Sequence, residues 1–236
     1  MKANSGQLLL EAASFLPPEL RAALTDAPDG SRCRDLPVRQ AALLWCDISG
    51  FSRHTNTLLA SRADGVEELH RELRNHYDQL IGQILLRGGE PVTFVGDGLL
   101  SVWPVGPGGM AQAVADAVAT AQDFLDLRKR RISQFDLNQH ISCGDIRTVE
   151  LGGRHGRWLR TSVGSALVEL QRIAHLKDPS EIFLTAEAAA LCPEGGVSTK
   201  GVVLMLKMRI GPGTADSPTR PRLRLARCLG GVLPPG

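Results

Sequence analysis

Two aspartates, each at the end of a strand-length apolar stretch, constrain this chain more than any other feature. The run Ala41-Ala-Leu-Leu-Trp-Cys closes on Asp47, and Ile48, Ser49, Gly50 and Phe51 follow as a glycine turn. The second, Asp97, stands between Gly96 and Gly98, with apolar stretches from Pro91 to Val95 and from Leu99 to Trp103 on either side. An unbroken apolar run of strand length reads as a buried central strand. Short runs meeting at glycines read as a hairpin with a tight turn. A carboxylate at the end of a buried strand is held firmly but still reaches a cleft. Two of them on neighbouring strands suit a pair of Mg²⁺ ions and a polyphosphate.

The remaining pattern supplies neighbours for these strands. Ser52 to Ser61 reads as a short helix. From Val66, apolar residues at Leu69, Leu73, Tyr77, Leu80, Ile81, Ile84 and Leu85 keep helical spacing until Gly88-Gly89 stops it. Met110 to Leu127 is a second long helix, alanine-rich, with a basic end at Arg128 to Arg131 that suits its dipole. His140 to Val149 is expected as a strand, Gly152 to Arg157 as a loop, and Ser162 to Leu176 as a third helix. Glu181 to Leu184, Val202 to Ile210 and Leu223 to Cys228 are late strands, with a short helix over Ala186 to Leu191. This order predicts a mixed α/β (α+β) domain of ferredoxin-like βαββαβ type, its sheet mostly antiparallel with helices on one face. Residues 1–38 read as a lead-in and linker, 39–230 as the domain, and 231–236 as a tail. In such an arrangement the hairpin tip lies beside the end of the first strand, so Asp47 and Asp97 become neighbours.

Composition narrows the function classes. A net charge of +2 gives no case for nucleic-acid binding. No apolar stretch reaches the length of a membrane span. The five cysteines have no CxxC spacing and no leader of the usual kind precedes them, which points to a reducing, cytoplasmic setting. Cys46, Cys143 and Cys228 lie in apolar runs and read as small core residues. The six histidines show no metal-ligand spacing. Trp45 and Trp103 read as strand core.

At three places the chain resembles the class III nucleotidyl cyclases. The first is Asp47-Ile-Ser-Gly-Phe-Ser52. The second runs from Gly88-Gly-Glu through Phe94-Val-Gly-Asp97-Gly-Leu-Leu-Ser-Val-Trp103. The third, weaker, is Gly152-Gly-Arg-His-Gly-Arg-Trp158 with Thr161-Ser-Val-Gly164. The resemblance is nearest to the first cyclase domain of the bicarbonate-responsive soluble adenylyl cyclase group. It implies a head-to-tail dimer with active sites at the interface, two Mg²⁺ or Mn²⁺ ions per site, and a nucleoside triphosphate, ATP first, cyclised with release of pyrophosphate. A second cyclase domain, identical or different, is then the expected partner, and bicarbonate a possible effector.

Carried over residue by residue, the resemblance makes Asp47 and Asp97 the metal ligands, with the backbone carbonyl of Ile48 joining them. Ser49, Gly50 and Phe51 match the turn whose amides face phosphate. Thr161 matches a base-contacting threonine and Arg172 the transition-state arginine. Two positions depart. Thr93 stands where the family's purine lysine belongs, and Val168 where its ribose asparagine belongs. The resemblance then implies a chain that supplies metals to a site completed by another domain. Simpler readings stand beside these. Asp47 would serve as a helix cap or turn residue, Thr161 as the cap of the third helix, and Arg172 as a surface partner of Glu169. Arg157 reads as a solvated loop residue, and nothing local supports a phosphate role for Lys207. A diguanylate cyclase is disfavoured, because Pro91 and Val92 replace the acid and aromatic residues of its hairpin motif. A cyclase for a non-adenine base and a non-catalytic regulatory domain stay open.

Overall fold

The computed structural model describes residues 36–130, 133–154, 157–192, 204–207 and 224–226. Residues 1–35 of the lead-in and the tail lie outside these, as do Cys33 and Cys228. Strand β1 (Arg39–Ile48) is followed by helices α1 (Phe51–Ser61) and α2 (Gly65–Leu86), the hairpin β2 (Glu90–Val95) and β3 (Gly98–Pro104), and helix α3 (Gly109–Lys129). Then come β4 (Leu137–Arg154), β5 (Arg157–Val163), α4 (Ser165–Ile173), β6 (Glu181–Leu184), α5 (Ala186–Ala190), β7 (Leu204–Lys207) and β8 (Arg224–Ala226). The sheet order is β2-β3-β1-β4-β6-β7-β8, with β5 attached to β4 off this path. The β4–β6 pair is parallel and the other described pairs are antiparallel.

β1 lies inside the sheet, between β3 and β4, which explains why its sequence shows no polar alternation. Ala42, Leu44, Cys46 and Ile48 pack into one core with Leu80 and Ile84 of α2 and Val114, Ala117, Ala121 and Phe124 of α3. Ala41 and Leu43 pack into a second core on the opposite face, with Leu100, Val102, Ala166 and Leu170. Leu43 and Leu44 are fully buried, and each such side chain is worth roughly 1.5–3 kcal/mol against exposure. The alanines of α3 allow its backbone to lie close to the strands. Arg128 and Lys129 occupy its last turn, as its dipole favours. Gly88, at φ 71°, takes the left-handed conformation that ends α2.

The fold class expected from the sequence is the one seen: a mixed α/β domain with a mostly antiparallel sheet. The two long helices of the βαββαβ unit, α2 and α3, share one face. The structure adds a cover on the other face, where α4 packs through Ala166 and Leu170. One stretch differs from expectation. Gly152, Arg154 and Arg157 of the predicted loop, and Ser162 and Val163 of the predicted helix, belong to an antiparallel β4–β5 pair, with Arg147 opposite Val163. Thr161 and Val163 favour extended backbone, and the β4 ladder outweighs the helical spacing of the apolar residues. The helix begins only at Ser165, after Gly164. A Cβ at Gly164 would lie 2.1 Å from the Asp145 carbonyl oxygen, and its φ of 148° suits glycine alone. Among the described residues, no helix is long and apolar enough to cross a membrane.

Candidate active site

Alternation along β1 sets the direction of Asp47. Following Leu43 and Trp45, it points to the α4 face, at the end of the strand where apolar cover runs out. Its register partner in β3 is Gly98, and in β4 Asn138. Val95 pairs with Gly98, so Gly96 and Asp97 form a two-residue loop, with Gly96 at φ 62°. Asp97 therefore stands next to the register partner of Asp47. Gly98 must be glycine, because a Cβ there would sit 2.2 Å from the ring of Trp45. Trp45 is thus half-buried packing on the second core, and Trp103 is buried, its Nε1–H donating to the Arg87 carbonyl at 3.0 Å.

The loop is held from behind by α2. The Tyr77 hydroxyl donates to the Asp97 carbonyl at 3.1 Å, and its ring meets that of Phe94 edge-on at 5.1 Å. Burial raises the Tyr77 phenol above its ordinary range, and the Asp97 and Asp47 carboxylates add to the rise. Burial also raises the Asp97 carboxyl. The Asp47 carboxylate adds to this, while a backbone hydrogen bond and the Lys177 ammonium oppose it. A cation beside the two carboxylates would offset their repulsion.

Lys177 supplies one. Its Nζ donates to Asp47 Oδ2 at 2.6 Å. The segment after α4 that carries it is pinned to the sheet: His140 Nε2–H donates to the Leu176 carbonyl at 2.8 Å, and the Leu176 amide donates to the Ile173 carbonyl at 3.0 Å. His140 is itself fully buried and stacked on Phe183. Sequence reasoning missed Lys177. It lies 130 positions from Asp47, and only the packing of α4 on the second face brings the two together.

The glycine turn after Asp47 is partly committed elsewhere. The Ile48 side chain is buried in the α3-side core, so its backbone carbonyl is the group left for a cation. The Ser49 amide donates to the Asp136 carbonyl at 2.8 Å. Gly50, at φ 74°, is the residue before α1, so Asp47 does not cap that helix. The first intrahelical bond runs from the His54 amide to the Gly50 carbonyl. The amides of Phe51, Ser52 and Arg53 therefore form the open end of the helix, where negative charge is favoured.

The other expected site residues bond locally. Thr93 is exposed on β2, its hydroxyl directed to the neighbouring Phe94 carbonyl at 3.4 Å. Thr161 lies within β5, opposite Val149, and does not cap α4. Arg172 is exposed, and its Nη1–H donates to Glu169 Oε1 at 2.6 Å, the surface pairing expected from their spacing. Val168, one turn before it, is 52% exposed.

The donor set fits hard divalent cations. Among the described residues no three His, Cys, Asp or Glu side chains gather as a ready cage. Two carboxylates and a carbonyl leave coordination positions for water and substrate phosphates, the way Mg²⁺ is usually held. The Lys177 ammonium already occupies one of the carboxylates as a positive charge.

No family model matches the chain. Human adenylate cyclase type 10 is 21% identical over 167 residues, a stretch that makes up 68% of this chain and 10% of that protein. Among solved structures, a bacterial light-regulated adenylyl cyclase superposes with a TM-score of 0.61 at 16% identity, over 81% of this chain and 56% of its own. The guanylate cyclase domain of RhGC from Catenaria anguillulae, in complex with GTP, gives 0.53 at 16% identity, over 67% of this chain and 85% of its own. This chain has the fold found in adenylyl and guanylyl cyclase domains.

Proposed function

We propose that this chain is a nucleotidyl cyclase domain that turns a nucleoside triphosphate, ATP in the first instance, into a 3′,5′-cyclic nucleotide and pyrophosphate. The observation that carries this reading is the juxtaposition of Asp47 and Asp97 at one sheet end, on a cyclase-type fold. Asp47, Asp97 and the Ile48 carbonyl would hold two Mg²⁺ or Mn²⁺ ions, which lower the pKa of the attacking ribose hydroxyl and neutralise the triphosphate. The open amides at the start of α1 would orient phosphate oxygens. Tyr77 fixes the loop that carries Asp97, so the second carboxylate does not swing away. The ribose 3′-oxygen then bonds to the α-phosphorus, the bond to the β-phosphate bridge breaks, and pyrophosphate leaves.

The chain acts in this reading as the metal-donating half of a dimeric site. Thr93 is short and neutral, and Val168 has no group to hydrogen-bond a ribose oxygen. Phe94, Val95, Val163 and Val168 are exposed apolar residues on β2, β5 and α4. They suit a surface covered by a second cyclase domain, which would bring the base-selecting lysine and ribose asparagine. Arg172 contributes to the transition state only after it leaves Glu169. The same substitutions favour one other reading, a regulatory cyclase-like domain that binds metal and nucleotide, or bicarbonate, and controls an attached partner.

The test is turnover of ATP, GTP, CTP and UTP with Mn²⁺, with product identified by mass spectrometry, for the chain alone and mixed with a cyclase domain that carries the lysine and asparagine. The expected result is a cyclic nucleotide from the mixture, lost when this chain carries Asp47→Ala, and little from the chain alone. Robust turnover by the chain alone removes the half-site reading. No product from either supports the regulatory one.

A further inference from the structure

We propose that Lys177 is a built-in counter-cation that holds Asp47 and must leave when a divalent cation binds. The inference rests on the proposed role of Asp47 and Asp97 as metal ligands. Its own observation is separate: the 2.6 Å contact between Lys177 Nζ and Asp47 Oδ2.

Three features make this more than a chance surface pair. The lysine does not sit on a free loop, because the residue before it is tied to the fully buried His140 through the Leu176 carbonyl. The backbone is thereby fixed at a distance from which the flexible four-carbon stem reaches the carboxylate. The other end of the contact is equally fixed, since Asp47 closes a strand hydrogen-bonded on both sides. And the charge has a purpose. Asp47 and Asp97 stand at one sheet end, and the ammonium beside Asp47 offsets part of their mutual repulsion.

The same geometry makes the arrangement exclusive. An ammonium bound to Asp47 Oδ2 occupies part of the carboxylate's acceptor capacity, and its positive charge repels the ion. Lys177 is half-exposed, with 49% of its side chain accessible, so it can swing into solvent without a buried charge being left behind. Such a pair is of modest strength. Lys177 is therefore a weak competitor that holds Asp47 in place while yielding to metal.

Mn²⁺ binding to the full chain, measured by loss of the free-ion paramagnetic resonance signal with no nucleotide present, tests this. Lys177→Met should bind Mn²⁺ about two- to fivefold more tightly than the wild type, the scale of a half-exposed ion pair. Lys177→Arg, which keeps the charge, should stay close to the wild type. In an Asp47→Asn background, Lys177→Met should change nothing. Equal Mn²⁺ affinity in the wild type and Lys177→Met overturns the proposal. So does a Lys177→Met variant that binds Mn²⁺ unchanged but loses nucleotide affinity, which would make the lysine a phosphate ligand. Absence of Mn²⁺ binding in every form overturns the metal reading itself, and the inference with it.

Discussion

The sheet end that carries Asp47 and Asp97 and the surface that carries Thr93, Val168 and Arg172 are built on different terms. At the first, each group is held by the packed body of the domain: Asp47 by a central strand, the Asp97 loop by the half-buried Tyr77, and the backbone before Lys177 by the buried His140. At the second, side chains are exposed and bond only to near neighbours in sequence. The first is organised before any ligand arrives, and preorganisation of this kind is what charge-stabilising catalysis needs. The second offers apolar surface, a short threonine and an arginine paired with Glu169. The difference is what the proposed half-site reading rests on.

The largest expected effect comes from filling the deficient side. Thr93→Lys with Val168→Asn should raise cyclic nucleotide production by the isolated chain about tenfold or more, since an unmatched polar contact is expensive in a selective site. Mass-spectrometric product analysis checks this, and an unchanged rate would show that these two positions do not limit the site.

The preorganised side was largely legible in the sequence, and the deficient side only in part. Asp47 and Asp97 announce themselves because strand end, turn glycine and carboxylate are local signals, and the spacing of two such signals implies pairing. The unbroken run at Ala41 to Cys46 correctly foretold a strand buried on both faces. The boundary of α4 was not legible, because the helical spacing of the apolar residues runs back through Val163, and only the ladder with β4 shows that Ser162 and Val163 belong to a strand. Lys177 was not legible at all. A lysine after a helix reads as solvated, and its contact depends on how α4 lies across the sheet.

A second test probes the layer behind Asp97. His76, one residue before Tyr77, is buried with its Nδ1 beside the Ser133 hydroxyl at 2.9 Å. Burial pushes its imidazole down to about 4 from the ordinary 6.5. The unfolded chain therefore binds a proton below pH 6.5 that the folded chain refuses until about pH 4. The stability associated with neutral His76 is complete above 6.5 and is lost as pH falls toward 4, by up to about 3 kcal/mol. Urea melts across this window should show the decline, and His76→Leu should flatten it. A wild-type profile that is already flat would mean that His76 titrates as it would in water.

The smallest expected effect is the most local. Tyr77→Phe removes one hydrogen bond to the Asp97 carbonyl and should lower stability by about 1 kcal/mol, with a modest loss of Mn²⁺ affinity. If stability falls and Mn²⁺ affinity does not, the hydroxyl supports the fold without orienting the carboxylate.

The central claim is that Asp47 and Asp97 form a metal-dependent nucleotide site, and calorimetric titration of ATP in the presence and absence of Mn²⁺ tests it most directly. The wild type should bind ATP only with Mn²⁺. Asp97→Asn should keep the fold, because Gly96 and Gly98 still form the turn, and should lose at least about tenfold in Mn²⁺-dependent affinity. Equal affinity in the folded variant would contradict the account, because Asp97 would then not be a ligand.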